Sequence, residues 1–466
     1  MVERTNLPFS ELTAVTPLDG RYRGKIAELA PHVSEFNLIR TRIEVEAKYL
    51  VALSDIGVVR DLTEEERKKL NFFGQNVNYE DALKVKQIED TTRHDVKAME
   101  RAFRIMLAGT SLEDLTEMIH FGLTSEDVNN LAYRLMLKRA TRQVCIPVLD
   151  TLTDELIERA NRFKAVPMIG RTHGQAAVPT TIGKEFVVFA VRLNKEVRTL
   201  DKAKLTGKLT GAVGNFNALQ LACPKIDWIS FSERFMKSLG FEPNLTTTQI
   251  NPYEDIVSYL QNYERINNII IDLDQDLWRY ISDHWFVQEV KKGEVGSSTM
   301  PQKVNPIDFE NSEGNLGMAN AIMEFLSRKL AISRLQRDLS DSTAIRNIGT
   351  ALGYSLVGYK SVLNGLSRVR PNIDEITTQL NSDYTILTEG VQTILRREGV
   401  DDPYSLVASL TRGRHISQKE WKDWIFNLPV KASVKKTLEK LSPSSYIGLA
   451  IELTEKAIKE IQKSKR

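Results

Sequence analysis

Apolar residues along this chain recur mainly at intervals of three and four, the period that places them on one face of an α-helix. Between 254 and 286, Ile256, Leu260, Tyr263, Ile266, Ile270, Leu273, Leu277 and Ile281 keep that rhythm. At 1.5 Å rise per residue the segment predicts a rod of roughly 45 Å. A second run after Lys184 carries Phe186, Phe189, Leu193, Val197 and Leu200 in register, and a third covers about 308–345. Proline removes a helical donor and clashes with the preceding turn, yet none occurs between Pro31 and Pro147 or between Pro306 and Pro371. Strand signals are sparse, and no Asn-Gly or Asp-Gly pair joins alternating runs. The pattern predicts an all-α protein whose stripes form bundle core. Rods this long need apolar neighbours on several sides, which favours oligomerisation through a shared bundle. Breaks near 113, where GTSLED can start a helix, and near 370, at VRPNID, suggest an N-terminal helical domain over 1–112. A central long-helix domain then covers 113–369 and includes a loop at 290–306, and a C-terminal helical domain covers 370–466.

Composition narrows the partners. A length of 466 residues has room for about three units. Lysine plus arginine (63) nearly balance aspartate plus glutamate (61), so no global field draws the chain to nucleic acid or a membrane surface. The expected partner is small. Cys145 and Cys223 are far apart in sequence and offer neither a disulfide framework nor metal spacing, which fits a reducing compartment. The N-terminus lacks the apolar core of a signal peptide, and no apolar run approaches the roughly 20 residues of a membrane span. A soluble cytoplasmic protein is expected.

Few positions carry obvious chemistry. Two of the six histidines lie in polar, turn-rich contexts. His173 sits in 170-GRTHGQAAVPTTIGKE-185, where Gly170, Gly174 and Pro179 argue against a regular element; His94 sits in TTRHDVKAME, followed at once by Asp95. Irregular backbone is where sites tend to be placed, although a core role is the commoner fate of a histidine. In 124-TSEDVNNLAYRLML-137, Thr124 and Asp127 have the spacing of a capping box, and free amides at the same helix start could bind an anion. Local sequence favours the cap. Between two helical segments lies GSSTMPQKVNP (296–306), which combines glycine, serines and prolines with Lys303 and Asn305. Such a stretch serves equally as a linker or as a nest for negative charge, in which a serine would lose its proton more readily.

GSSTMPQKVNP resembles the signature loop of the fumarase/aspartase superfamily, GSSxMPxKxN, whose members eliminate across a bond to release fumarate or a close relative. TPLDGRY (16–22), TTRHDVKAME, HFGLTSEDVNN, GRTHGQ, GAVGNFNA, TTTQINP and RDLSDSTAIRN (337–347) together resemble the adenylosuccinate lyase family of the bacterial purine-pathway type. The likeness runs from about residue 10 to beyond 450. It implies a three-domain, all-helical subunit and a homotetramer with a shared helical core. Each active site would take residues from three subunits, with neither metal nor organic cofactor. The implied reaction releases fumarate from adenylosuccinate to leave AMP, and from the succinylaminoimidazole-carboxamide ribotide of purine synthesis.

The resemblance also implies roles. Ser297 aligns with the base that removes a proton beside a carboxylate, His173 with the acid that protonates the departing nitrogen, and Glu310 with the partner of that histidine. Lys303 and Asn305 would hold the charge that accumulates on the carboxylate. Arg21 and Tyr22 match a phosphate-contacting pair. Arg93, His94 and Asp95 match a substrate-contacting turn, and Thr124 and Ser125 a succinyl-carboxylate site. Gln249, Ser298, Val304, Asn311 and Arg337 match further contacts, as do Ser342, Thr343, Ala344, Ile345 and Arg346. Ser342 and Arg346 are expected on phosphate or carboxylate. Gln302 stands where some relatives have histidine, at a position the superfamily pattern leaves open, and Arg93 stands where a near relative has asparagine. Argininosuccinate lyase is the rival within the superfamily, but DGRY and RDLSDSTAIRN suit a nucleotide substrate. A silent helical scaffold would be expected to lose Ser297, His173, Lys303 or Glu310, and all are present.

Overall fold

The local code for starting helices is used repeatedly. The Ser34 hydroxyl accepts the Asn37 amide and opens the helix Glu35–Asp55. Thr63 and Glu66 exchange side-chain and backbone hydrogen bonds at the start of Glu64–Gln75, and Asn78 and Asp81 do the same for Tyr79–Thr92. The computed structural model describes residues 7, 8, 10–290, 293, 299, 300 and 302–465. Ser297 and Ser298, the expected base and its neighbour, lie outside the described residues.

The described chain forms two compact units that interleave in sequence. The first comprises Met1–Val148, Thr199–Asn267 and Gly314–Gly358; the second comprises Leu149–Arg198, Asn268–Glu313 and Tyr359–Arg466. Within the first, Glu35–Asp55 packs against Glu64–Gln75, Asp95–Leu107 and Ser125–Ala140. Ile43, Leu50 and Leu53 from one helix and Val128, Leu131 and Leu135 from another are buried. Arg139 binds Glu44 through two 2.7 Å hydrogen bonds, tying two of these helices together.

The long rods are present. One spans Glu254–Ser282, and of its predicted stripe only Ile281 is not fully buried. Another spans Ile182–Lys202 with all five stripe residues buried. The third expectation overran: its helix covers Ile307–Leu330, followed by irregular backbone before Ser340–Ile345 and Ile348–Ser367. The apolar rhythm does continue through Ile332, Leu335 and Leu339, but those side chains are exposed, so no burial drives the helix onward. Local polar bonds take the backbone instead. The Asp338 carboxylate accepts the Arg334 amide at 3.2 Å and the Ser340 amide at 2.8 Å, and Leu335 adopts φ 52°.

The second unit holds a departure from the sequence expectation. The segment around His173 is a regular antiparallel hairpin, β1 (Pro167–Thr172) paired with β2 (Gln175–Thr181). Thr172 pairs with Gln175, leaving His173 and Gly174 as a two-residue turn with φ 54° and 73°, the sign pattern of a type I′ turn. A bulge sets Gly170 opposite two residues of β2, and a Cβ at 170 would come within 2.7 Å of the Val178 carbonyl oxygen. Gly170 and Gly174, which in the sequence argue against a regular element, shape this hairpin, and Pro179 sits within its second strand opposite Ile169. The Thr181 hydroxyl then accepts the Lys184 amide and starts the following helix. In the C-terminal part, Leu395, Trp421, Ile425 and Leu438 are buried core residues of short helices. No described helix is long and apolar enough to cross a membrane.

Candidate functional site

In the first unit, residues from three separate stretches converge on a cavity of about 470 Å³. Arg93, His94 and Asp95 come from the junction of two helices. Arg93 ends Tyr79–Thr92 in the left-handed region (φ 52°), and His94 caps Asp95–Leu107, its Nδ1 accepting the Lys97 amide at 3.2 Å. That bond makes Nδ1 an acceptor and leaves Nε2 for a ligand. Ser125 enters from the start of Ser125–Ala140, and Arg337, Ser342, Thr343 and Arg346 from the segment after the broken third helix. Three guanidinium groups against the two carboxylates of Glu89 and Asp95 give the lining a net positive charge, suited to an anionic ligand.

Each charged group has a defined anchor. The Asp95 carboxylate accepts from buried Arg42 at 2.8 Å and from Arg346 at 3.1 Å. Burial works against its charged form, but the Arg42 charge and hydrogen bond outweigh it and hold the carboxyl at about 2. Arg346 also donates to Glu35 at 2.8 Å, so two carboxylates hold the cation expected on phosphate or carboxylate. Arg337 donates to the Gln249 side-chain oxygen at 3.3 Å, which brings two predicted contacts together. Ala344 and Ile345 turn their side chains into the core, leaving only their backbone for a ligand.

At 124–127 the structure shows the cap. Asp127 accepts the Thr124 amide at 2.9 Å, while its other oxygen takes the Lys208 ammonium at 2.8 Å and the amides of Thr210 and Gly211. Asp127 and Lys208 are fully buried, so this carboxylate is structural, and Ser125 faces the cavity. Arg21 is exposed; its neighbours Asp19 and Arg23 line a smaller cavity of about 180 Å³ that also includes Arg346. Tyr22 precedes the short helix Arg23–Ile26.

The remaining candidates belong to the second unit. His173 is exposed at the hairpin tip and makes no hydrogen bond among the described residues. Glu310 is exposed and accepts the Trp278 indole N–H at 3.1 Å, and no contact between it and His173 is present among the described residues. Lys303 is exposed, and the Val304 carbonyl accepts from Gln288 at 3.0 Å, tying the described end of the loop to the strand Phe286–Gln288. Asn305 precedes the helix start, where the Pro306 carbonyl accepts the Phe309 amide. Asn311 donates to the Ser361 hydroxyl at 2.7 Å. A larger cavity of about 780 Å³ beside the hairpin is lined by residues flanking His173, among them Thr172 and Gly174, and by none of the predicted contacts.

Sequence reasoning missed Asn129, Glu89 and Leu339 on the first cavity. Asn129 lies one helical turn beyond Ser125, so the 3.6-residue period could have found it. Buried Arg42, which holds both Asn129 and Asp95 at 2.8 Å, gives no local signal.

Comparison with known proteins places these motifs. A family model described as Lyase matches residues 20–322, and one described as Adenylosuccinate lyase C-terminal matches 333–447. The chain is 45% identical over 454 residues to adenylosuccinate lyase of Haemophilus influenzae, covering 97% of this chain and 100% of that one. The chain belongs to the adenylosuccinate lyase family. Its relatives of that name include those of Escherichia coli, 42% identical over 453 residues (96% of this chain, 99% of that one), and Dictyostelium discoideum, 44% identical over 465 residues (96% and 99%). Among solved structures, the fold resembles fumarate lyase from Mesorhizobium sp. BNC1 (TM-score 0.74, 14% identity, covering 93% of this chain and 97% of that one). It also resembles 3-carboxy-cis,cis-muconate lactonizing enzyme from Pseudomonas putida (TM-score 0.73, 17% identity, 94% and 98%). The all-α expectation is met by this superfamily fold.

Proposed function

We propose that this adenylosuccinate lyase family member eliminates fumarate from adenylosuccinate to give AMP, and from succinylaminoimidazole-carboxamide ribotide to give aminoimidazole-carboxamide ribotide. The observation that carries the reading is the convergence of Arg93, His94, Ser125, Arg337, Ser342 and Arg346 on one cation-rich cavity. A substrate with one phosphate and two carboxylates needs such a lining. In this reading Ser297 takes the proton from the succinyl carbon beside a carboxylate, and that electron pair becomes the new C=C bond as the C–N bond breaks. His173 delivers a proton to the departing nitrogen. Lys303 and Asn305 hold the carboxylate on which charge accumulates. Arg21 and Tyr22 take the phosphate, and Gln249, Ser298, Val304, Asn311 and the 342–346 backbone complete the contacts.

The site is shared among the subunits of a homotetramer in which each chain has three helical domains divided near 113 and 370. Three features support the sharing of the site. His173 is exposed on its own hairpin, Glu310 does not meet it within the described residues, and the bundle helices carry exposed Val188, Val191, Trp278, Met318 and Phe325. A neighbouring subunit would cover these apolar side chains and bring a second chain's residues to the histidine. The same reading places the enzyme in the cytoplasm. The test is to offer adenylosuccinate to the purified protein and follow fumarate and AMP together. Equimolar release is expected; cleavage of argininosuccinate with neither product from adenylosuccinate would overturn the substrate assignment.

A further inference from the structure

Behind the first cavity lies a buried cluster that no motif role assigns. Glu126 follows Ser125 in the helix's first turn and is 3% exposed. Its carboxylate lies 3.2 Å from Arg337 Nη2, while Nη1 of the same guanidinium donates to Gln249. Asp341, equally buried, stands 4.0 Å from Arg337 Nε and accepts the Tyr253 hydroxyl at 3.0 Å; that hydroxyl is 3.5 Å from Glu126. The other cations facing Glu126 are committed elsewhere: Arg134 to Asp255 through two 2.8 Å bonds, and Lys208 to Asp127. One guanidinium on the cavity wall thus serves two buried carboxylates.

We propose that Glu126 is a positioning residue for the reaction: it grips Arg337 from behind so that the guanidinium faces an anionic group of the substrate. The inference rests on the reading that Arg337 contacts substrate. An arginine side chain has many rotamers, and one held in place before binding removes that ordering cost from the encounter. The grip depends on the carboxylate form. Burial, countered by Arg337 and reinforced by Asp341, pushes the Glu126 carboxyl up to about 7. The pairing is therefore complete above neutrality and weakens as pH falls through that value.

The test uses the full-length enzyme and steady-state kinetics with adenylosuccinate. Glu126→Gln keeps the shape and removes the charge; KM should rise about tenfold with kcat within about twofold, the signature of lost uniform binding. Between about pH 6 and 8 the wild-type KM should fall as pH rises, and this component should vanish in Glu126→Gln and in Arg337→Ala. Added to Arg337→Ala, Glu126→Gln should change KM by less than about twofold, because it acts through that arginine. A merely structural carboxylate would lower the melting temperature without abolishing the pH component. Wild-type KM in Glu126→Gln alongside a raised KM in Arg337→Ala overturns the inference and leaves the contact intact. Wild-type KM in Arg337→Ala overturns the contact itself. Should Glu126→Gln fail to fold, parallel pH profiles for wild type and Arg337→Ala refute the coupling.

Discussion

His173 occupies a backbone position that asparagine would fill more comfortably, so stability and activity should move in opposite directions when it is replaced. The residue has φ 54° in a two-residue turn followed by Gly174 at φ 73°. A left-handed conformation costs an L-residue about 1–2 kcal/mol, asparagine less than most, and Asn-Gly is the preferred pair for a type I′ turn. The imidazole returns nothing of that cost through hydrogen bonds within the described residues. His173→Asn should therefore stabilise the second unit by about 1 kcal/mol, which for about 200 residues raises its melting temperature by roughly 2–4 °C. Loss of a general acid should meanwhile reduce kcat by about 10²–10⁴. His173→Ala separates the two effects, since it loses the acid while keeping a Cβ in the strained position. Scanning calorimetry and fumarate release measure the pair of outcomes. A kcat near wild type in His173→Asn would refute the acid; a melting temperature that falls would refute the strain argument.

Other sites give sharp expectations. Lys208→Met leaves the buried Asp127 carboxylate its backbone amides but no cation, which should cost about 3–5 kcal/mol and lower the first unit's melting temperature by about 10 °C; a change under about 2 °C would refute a structural ion pair. Asp95, held at about 2 by Arg42 against its burial, contributes stability that is complete above the ordinary carboxylate range and is lost as pH falls through about 2. Arg42→Met should move the onset of acid unfolding, followed by circular dichroism, upward toward about pH 4, and an unchanged onset would contradict this. Ser297→Ala and His173→Ala should each be inactive alone and recover part of the activity when mixed subunits exchange; no recovery after proven exchange would argue against shared sites.

The parts of the fold legible in the sequence are those whose physics is local. Stripe spacing located the rods at 182–202 and 254–282 because burial and helical period reinforce one another there. The Thr124 cap was legible because capping acts within four residues, whereas His94 stood out only for its polar, turn-rich context and its capping of Asp95–Leu107 is a finding of the structure. Where pattern and burial part company, the reading failed. Ile332, Leu335 and Leu339 continue the rhythm past the end of their helix, and their exposure is a property of packing that spacing does not record. The His173 hairpin escaped notice because its turn is His-Gly rather than Asn-Gly. Arg42 and Glu126 meet their partners, Asp95 and Arg337, across long stretches of chain, and no window of sequence holds both members of either pair.

Backbone strain adds a distinction between finding a site and recognising it. Arg93 and His173 both hold φ near 50°, and both were singled out by motif, which fits the idea that strain collects where chemistry must be aimed. Yet His120, at φ 61°, is equally strained, and its ring and amide are bound by the buried carboxylate of Glu46 at 2.6 and 3.0 Å. That histidine stays on the structural side. What separates the cases is the side chain: Arg93 lines an open, cation-rich cavity and His173 projects from a hairpin with no partner among the described residues, whereas His120 is already satisfied. Strain marks a position the fold must hold deliberately, and the unspent bonding capacity of the side chain is what turns that position into a candidate for catalysis.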